Sequence, residues 1–160
     1  MPKRQIFYSF HFANDVMRVQ QIRNIGALDQ NEPVSKNDWE IVKKNGDAAI
    51  KKWIDDNMNY RSCVVVLVGA ETAQRTWVKY EIEKAWNAGK GLFGVHVHNL
   101  KCPVNGKCTK GANPFDQFTL DSGAKLSSIV KCHDPSFSDA YGDIAENLEN
   151  WVEQAISQRA

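Results

Sequence analysis

Cys63-Val-Val-Val-Leu-Val68 is six consecutive residues without a polar side chain. A strand with one wet face alternates apolar and polar residues. A strand apolar at every position is covered on both faces, as in a parallel sheet with helices above and below it. The run extends as apolar sequence only to Ala70, far short of the roughly 20 residues needed to span a bilayer. It therefore reads as the central strand of an α/β sheet.

Upstream, Gln5-Ile-Phe-Tyr-Ser-Phe10 is aromatic and β-branched and reads as a first strand. Asn14 or Asp15 then caps a helix whose Val16, Val19, Ile22 and Ile25 recur at helical spacing. Residues 26–37 are polar, contain Pro33 and read as a loop. Asn45-Gly46-Asp47 opens a second helix with Ala49, Ile50, Trp53 and Ile54 as its buried stripe. Downstream, Gly69-Ala70-Glu71-Thr72 turns the chain, and Thr76 is expected to N-cap a helix through Ala88 that Gly89 closes. Residues 91–98 form a further strand with Val95 and Val97 on one face. Residues 99–125 carry Pro103, Gly106, Gly111, Pro114 and Gly123 with little periodicity, a connection long enough to be a functional lid or insertion. Residues 127–132 read as a short last strand. Ser138 or Asp139 caps a final helix that buries Tyr141, Ile144, Leu148, Trp151, Val152 and Ala155.

Strand–helix alternation of this kind predicts a three-layer, flavodoxin-like α/β fold with a mainly parallel central sheet, in a single domain over residues 1–160. Such sheets bind ligands beyond the carboxyl ends of their strands.

The chain has 160 residues, 42% hydrophobic and 24% charged, which excludes a disordered, collagenous or coiled-coil protein. Twenty Lys and Arg against nineteen Asp and Glu leave a formal charge of +1, so neither a nucleic acid nor an anionic membrane is an expected partner. The N-terminal Lys3-Arg4 precedes an apolar stretch too short for a signal-peptide core, and a cytoplasmic protein is expected. The four cysteines, Cys63, Cys102, Cys108 and Cys132, show no Cys-x-x-Cys spacing and are expected as thiols. His96, His98, Cys102, Cys108, Cys132 and His133 fit no standard zinc pattern, and no metal is expected. There is no glycine-rich phosphate loop, which disfavours a kinase or dehydrogenase.

The segment Thr72-Ala-Gln-Arg-Thr-Trp77-Val-Lys-Tyr-Glu81-Ile-Glu83-Lys-Ala-Trp86 carries the candidate chemistry. On a helical wheel with Trp77 at zero, the apolar stripe centres near about 120°. Glu81 falls at about 40° and Glu83 at about 240°. Glu83 thus faces water beside Lys79, while Glu81 borders the apolar stripe between Trp77 and Ala85. A carboxyl buried among apolar groups has a raised pKa and acts strongly on a nearby cation. Read from geometry alone, Glu81 also fits a side chain that snorkels to solvent or pairs with a local base.

Ile6-Phe-Tyr-Ser-Phe-His-Phe12, Arg23-Asn24, Trp39-Glu40, Lys43-Lys-Asn-Gly-Asp47, Ala49-Ile-Lys-Lys-Trp-Ile54, Val68-Gly69, Trp77-Val-Lys-Tyr-Glu-Ile82 and Gly111-Ala-Asn-Pro-Phe115 form an ordered set. It resembles the TIR-like family that includes the ThsB subunits of bacterial Thoeris antiphage systems. The element Trp77-x-x-x-Glu81 is similar to the Trp-Cys-x-x-Glu of TIR domains. Here Val78 stands for the usual cysteine, and Thr72 or Thr76 for the usual serine.

The resemblance implies a TIR-like fold with Glu81 as the catalytic residue of an NAD+-cleaving enzyme, and NAD+ as substrate with no cofactor. The implied product is a cyclic ADP-ribose isomer that activates a separate effector protein, with a homo-oligomer or a phage-derived activator as further partners. Phe10, His11, Phe12, Asn14 and Asp15, together with Thr76 and Trp77, are the expected substrate-binding residues. Read as residues alone, Phe10 and Phe12 fit core packing as well as an aromatic wall, and His11 fits a loop histidine. Two other readings stand beside this one: a nucleoside deoxyribosyltransferase-like enzyme, with a carboxylate nucleophile on nucleosides, and a non-catalytic TIR-like sensor or adaptor. A receiver domain is set aside because no phosphoacceptor aspartate follows Val68.

Overall fold

The computed structural model describes residues 6–10, 22, 44–59, 61–100 and 109–159. Among the described residues, four strands, β1 (Ile6–Phe10), β2 (Cys63–Val68), β3 (Gly91–His96) and β4 (Cys132–His133), form one sheet in the order β1-β2-β3-β4. All three pairings are parallel, with Ser9 opposite Val66 and Val66 opposite Gly94. Among the described residues, three helices with defined bounds flank the sheet: α1 (Asp47–Met58), α2 (Thr76–Asn87) and α3 (Ala140–Arg159). The three-layer parallel α/β architecture expected of the sequence is the one observed.

Every residue of β2 and β3 is buried, because each strand serves two cores. On one face Phe7, Val64, Val66, Val68 and Leu92 pack against Ile50, Ile54 and Met58 of α1 and Val78, Ile82 and Ala85 of α2. On the other, Ile6, Cys63, Val65, Leu67, Phe93, Val95 and Val97 pack against α3 and Ile22. Strands that advance one way across a sheet through right-handed crossovers place their connecting helices on one side. Hence α1 and α2 share a face, and α3, which follows the last strand, returns along the other.

Several boundaries differ from the sequence expectation. Thr76 is the first helical residue of α2, and extended Arg75 holds the N-cap position without a side-chain cap bond. A 3-10 turn over Thr72–Gln74 leads into the helix, so the N-cap falls one residue before the expected Thr76. The last strand is only Cys132–His133, because Leu126 and Val130 are both buried four residues apart and joined by a 2.9 Å Val130 N–H to Leu126 carbonyl bond, a turn rather than a strand period. Tyr141 is 44% exposed although, with Ala140 at zero, its position at about 100° falls within the α3 stripe of Ala140, Ile144, Leu148, Val152 and Ala155; it stands in the first turn of the helix. Asp139 caps α3, its Oδ1 accepting from Gly142 N–H at 3.1 Å. The predicted helix around Val16, Val19 and Ile25, and the loop over 26–37, lie outside the described residues, although Ile22 is helical and buried as expected.

From residue 109 the connection after β3 crosses the carboxyl end of β2. Gly111 packs directly on the Gly69 carbonyl, where any Cβ would collide. Gln117 Nε2 donates to the Ala73 carbonyl at 2.7 Å, and Pro114 and Phe115 are buried beneath the segment. Gly111→Ala should destabilise the fold by about 1–3 kcal/mol, the usual cost of forcing a group into a packed site. A denaturant titration whose midpoint matches the parent would contradict this packing.

Candidate active site

Glu81 enters the protein interior because of what surrounds it on α2. The buried residues of that helix are Val78, Glu81, Ile82 and Ala85, so a carboxyl that the helical wheel places on the border of the stripe is drawn inside it. The helix is held in this rotation from its outer side. Tyr80 Oη donates to Asp55 Oδ1 on α1 at 2.8 Å, and Lys84 Nζ pairs with the same oxygen at 3.2 Å. Trp77 is half-buried, edge-on to the Tyr80 ring at 5.7 Å and 81°, and packs against the α1–α2 core. With these three side chains facing α1, the next turn presents Glu81 to the sheet.

On the sheet side, β1 alternates. Phe7 and Ser9 point towards α2, and Tyr8 and Phe10 pack on the α3 side. Ser9 is 1% exposed and Glu81 7%, and Ser9 Oγ donates to Glu81 Oε1 at 3.2 Å. Burial pushes the Glu81 carboxyl from 4.5 up to about 8, and the Ser9 hydrogen bond opposes that shift. At the end of β2, Thr72 Oγ1 accepts from Gly69 N–H at 2.8 Å and donates to the Leu67 carbonyl at 3.5 Å, which fixes the turn beside the carboxyl ends of the strands. A buried carboxyl, a buried hydroxyl and a rigid turn thus meet at the edge where parallel sheets take their ligands.

Glu83 is exposed, as the wheel predicts, but forms no ion pair with Lys79 among the described residues. Thr76 is exposed at the start of α2. Phe10 is half-buried on the sheet face opposite Glu81, packed against the α3-side core. His11, Phe12, Asn14 and Asp15 lie outside the described residues. Ser9 was not among the expected site residues. The signal for it was a lone hydroxyl at the inward register of an aromatic strand, next to Phe7 in the alternation.

The described histidines and cysteines do not converge. Cys132 packs on the α2 side, where burial pushes its thiol up to about 12. His133, the next residue, stacks on Trp151 of α3 at 4.1 Å on the other face. His96 and His98 are buried and edge-to-face at 5.8 Å, and burial pushes His96 down to about 4. Cys102 and Cys108 lie outside the described residues, and no group of three potential metal ligands occurs among the described ones.

The family profile of the Thoeris protein ThsB, TIR-like domain, matches residues 7–102, which contain both Ser9 and Glu81. The chain belongs to this ThsB TIR-like family. It is also 34% identical over 118 residues to a Bacillus cereus (strain MSX-D12) protein named "Putative cyclic ADP-D-ribose synthase ThsB1". The match covers 71% of this chain and 62% of that relative, so the chain spans less than two thirds of the relative's length. In this ThsB-family chain no helix among the described residues is long and apolar enough to cross a membrane.

The burial of Glu81 has a consequence for stability. Its folded pKa lies above the unfolded one, so the folded state holds an extra proton between about pH 4.5 and about pH 8, and stability is lost as pH rises through that window. Glutamine cannot ionise. Glu81→Gln should therefore gain stability relative to the parent as pH rises from about 5 to about 9, with the two nearly equal at the acid end. Urea midpoints across that range measure the difference, in which the titration of His96 cancels. Parallel curves would mean that Glu81 is not desolvated.

Proposed function

We propose that this chain cleaves NAD+ at the bond between nicotinamide and ribose and converts the ADP-ribose moiety into a cyclic signal nucleotide that activates a separate effector in antiphage defence. The single observation that carries this reading is the buried carboxyl of Glu81, directed at the carboxyl edge of a parallel sheet. Membership of the ThsB family and the name of the Bacillus cereus relative support the choice of substrate and product class.

The chemistry asks little of the protein beyond one well-placed anion. The leaving group of NAD+ is already a cationic pyridinium. When the C–N bond breaks, the bonding electron pair stays with nicotinamide, which departs neutral, and positive charge develops at the anomeric carbon. Ionised Glu81 offsets that charge and accepts hydrogen bonds from the ribose hydroxyls, a preorganised electrostatic role. Its apolar surroundings on α2 strengthen the effect, because charges interact more strongly where water is excluded. The cation of the bound substrate in turn favours the ionised carboxyl. An acceptor then adds to the anomeric carbon and loses a proton: water yields linear ADP-ribose, and the adenine of the same molecule yields a cyclic product. NAD+ is the substrate here, and no cofactor takes part. A phage-derived activator or self-association is the proposed trigger.

The test is chromatography of nucleotides from infected and uninfected cells expressing the chain, alongside in vitro incubation with NAD+ and with deoxynucleosides. Glu81→Gln should lower NAD+ consumption by at least about a hundredfold, the scale on which removal of one preorganised electrostatic group acts. Glu83→Gln should consume NAD+ like the parent. Equal losses in two folded variants would remove Glu81 from the centre of the mechanism, and turnover of deoxynucleosides alone would replace the reading with a transferase.

A further inference from the structure

Among the described residues, Glu81 has one hydrogen-bond partner, and it comes from 72 positions away in sequence. We propose that Ser9 is a positioning residue for the reaction: its hydroxyl binds Oε1, fixes the carboxyl in one orientation at the strand ends, and leaves Oε2 as the oxygen that meets the substrate ribose. This rests on the reading of Glu81 as the catalytic carboxylate.

A glutamate side chain has three rotatable bonds, and burial alone does not choose among its rotamers. The Ser9 side chain is short and buried, and it sits in a strand whose register against Val66 is held by apolar packing on both faces. Its Oγ therefore has a set location to which Glu81 can be referred. The same bond acts on ionisation. A hydroxyl donates more strongly to a carboxylate than to a neutral carboxyl, so Ser9 favours the charged form that desolvation opposes.

Other groups facing the carboxyl do not supply this. From the elements packed on α2, β1 offers Phe7 and Ser9, β2 offers Val64, Val66 and Val68, and the turn at Thr72–Gln74 offers buried Thr72 and Ala73. On the same face β3 contributes Leu92, Gly94 and His96, and His96 is the titratable member, neutral above about pH 4. The charged neighbours on α2 itself, Glu83 and Lys84, project away from the sheet, Lys84 to Asp55. The influences on the Glu81 carboxyl are thus its burial, which raises its pKa, and the Ser9 hydrogen bond, which lowers it.

The test compares the parent with Ser9→Ala, which removes the donor, and Ser9→Thr, which retains it on a strand-compatible side chain. The Glu81 carboxyl is followed by carbon NMR of glutamate-labelled protein, its signal assigned by loss in Glu81→Gln. In Ser9→Ala the titration midpoint should rise by about one pH unit, the size of effect one hydrogen bond to a charged group exerts. NAD+ turnover near neutral pH should fall about tenfold, because the ionised fraction does, and the acid limb of the pH profile should move by the same amount. Ser9→Thr should restore both towards the parent. An unmoved midpoint in folded Ser9→Ala overturns the proposal, as does a moved midpoint with an unmoved acid limb. A parent that turns over no NAD+ in any preparation overturns the proposed function instead, and the carboxyl titration still decides whether Ser9 controls Glu81.

Discussion

Two-sided burial of β2 and β3 is the constraint from which the rest of this structure follows. A strand that is apolar at every position must be covered above and below, and its backbone groups must be paired on both edges. Parallel neighbours with helical crossovers meet both conditions. The crossovers place α1 and α2 on one face and leave α3 to cover the other. Because all four strands then point the same way, their carboxyl ends form one edge, and the turns that leave it are the natural place for a site.

Against that background Glu81 is an exception to the logic of the core. Its position on α2 is one that packing alone would fill with an apolar residue, and placing a carboxyl there opposes ionisation. The fold tolerates it through a neutral or hydrogen-bonded carboxyl and an anchored helix. Tyr80 and Lys84 hold α2 to Asp55 of α1, and Ser9 meets the carboxyl from β1. A local rule broken at one buried position, with neighbours arranged to accommodate it, is the observation on which the proposed role of Glu81 rests.

The connection after β3 has a related role. With Gly111 against Gly69 and Gln117 on Ala73, the chain around the Thr72 turn is pinned from above as well as from within. The end of β2 and the start of α2, which carries Glu81, are therefore rigidly joined. The role proposed for Glu81, a charge in place before the reaction begins, is one that such a scaffold suits.

The sequence by itself determined the central strand, the layer order and the inequality of the two glutamates. Each is written in a periodicity: continuous apolar character over residues 63–68, and helical spacing that separates Glu81 from Glu83 by about 200°. It also carried the family, through ordered motifs along most of residues 7–102. The short elements were less legible. Leu126 and Val130 fit a strand or a turn until their contacts decide, and Tyr141 lies at a stripe position of its helix yet is 44% exposed. Only the tertiary structure brought Ser9 to Glu81 and sent Phe10 to the opposite face. Those placements depend on strand register and helix rotation, which are set by packing between residues far apart in the chain and leave no mark on local pattern.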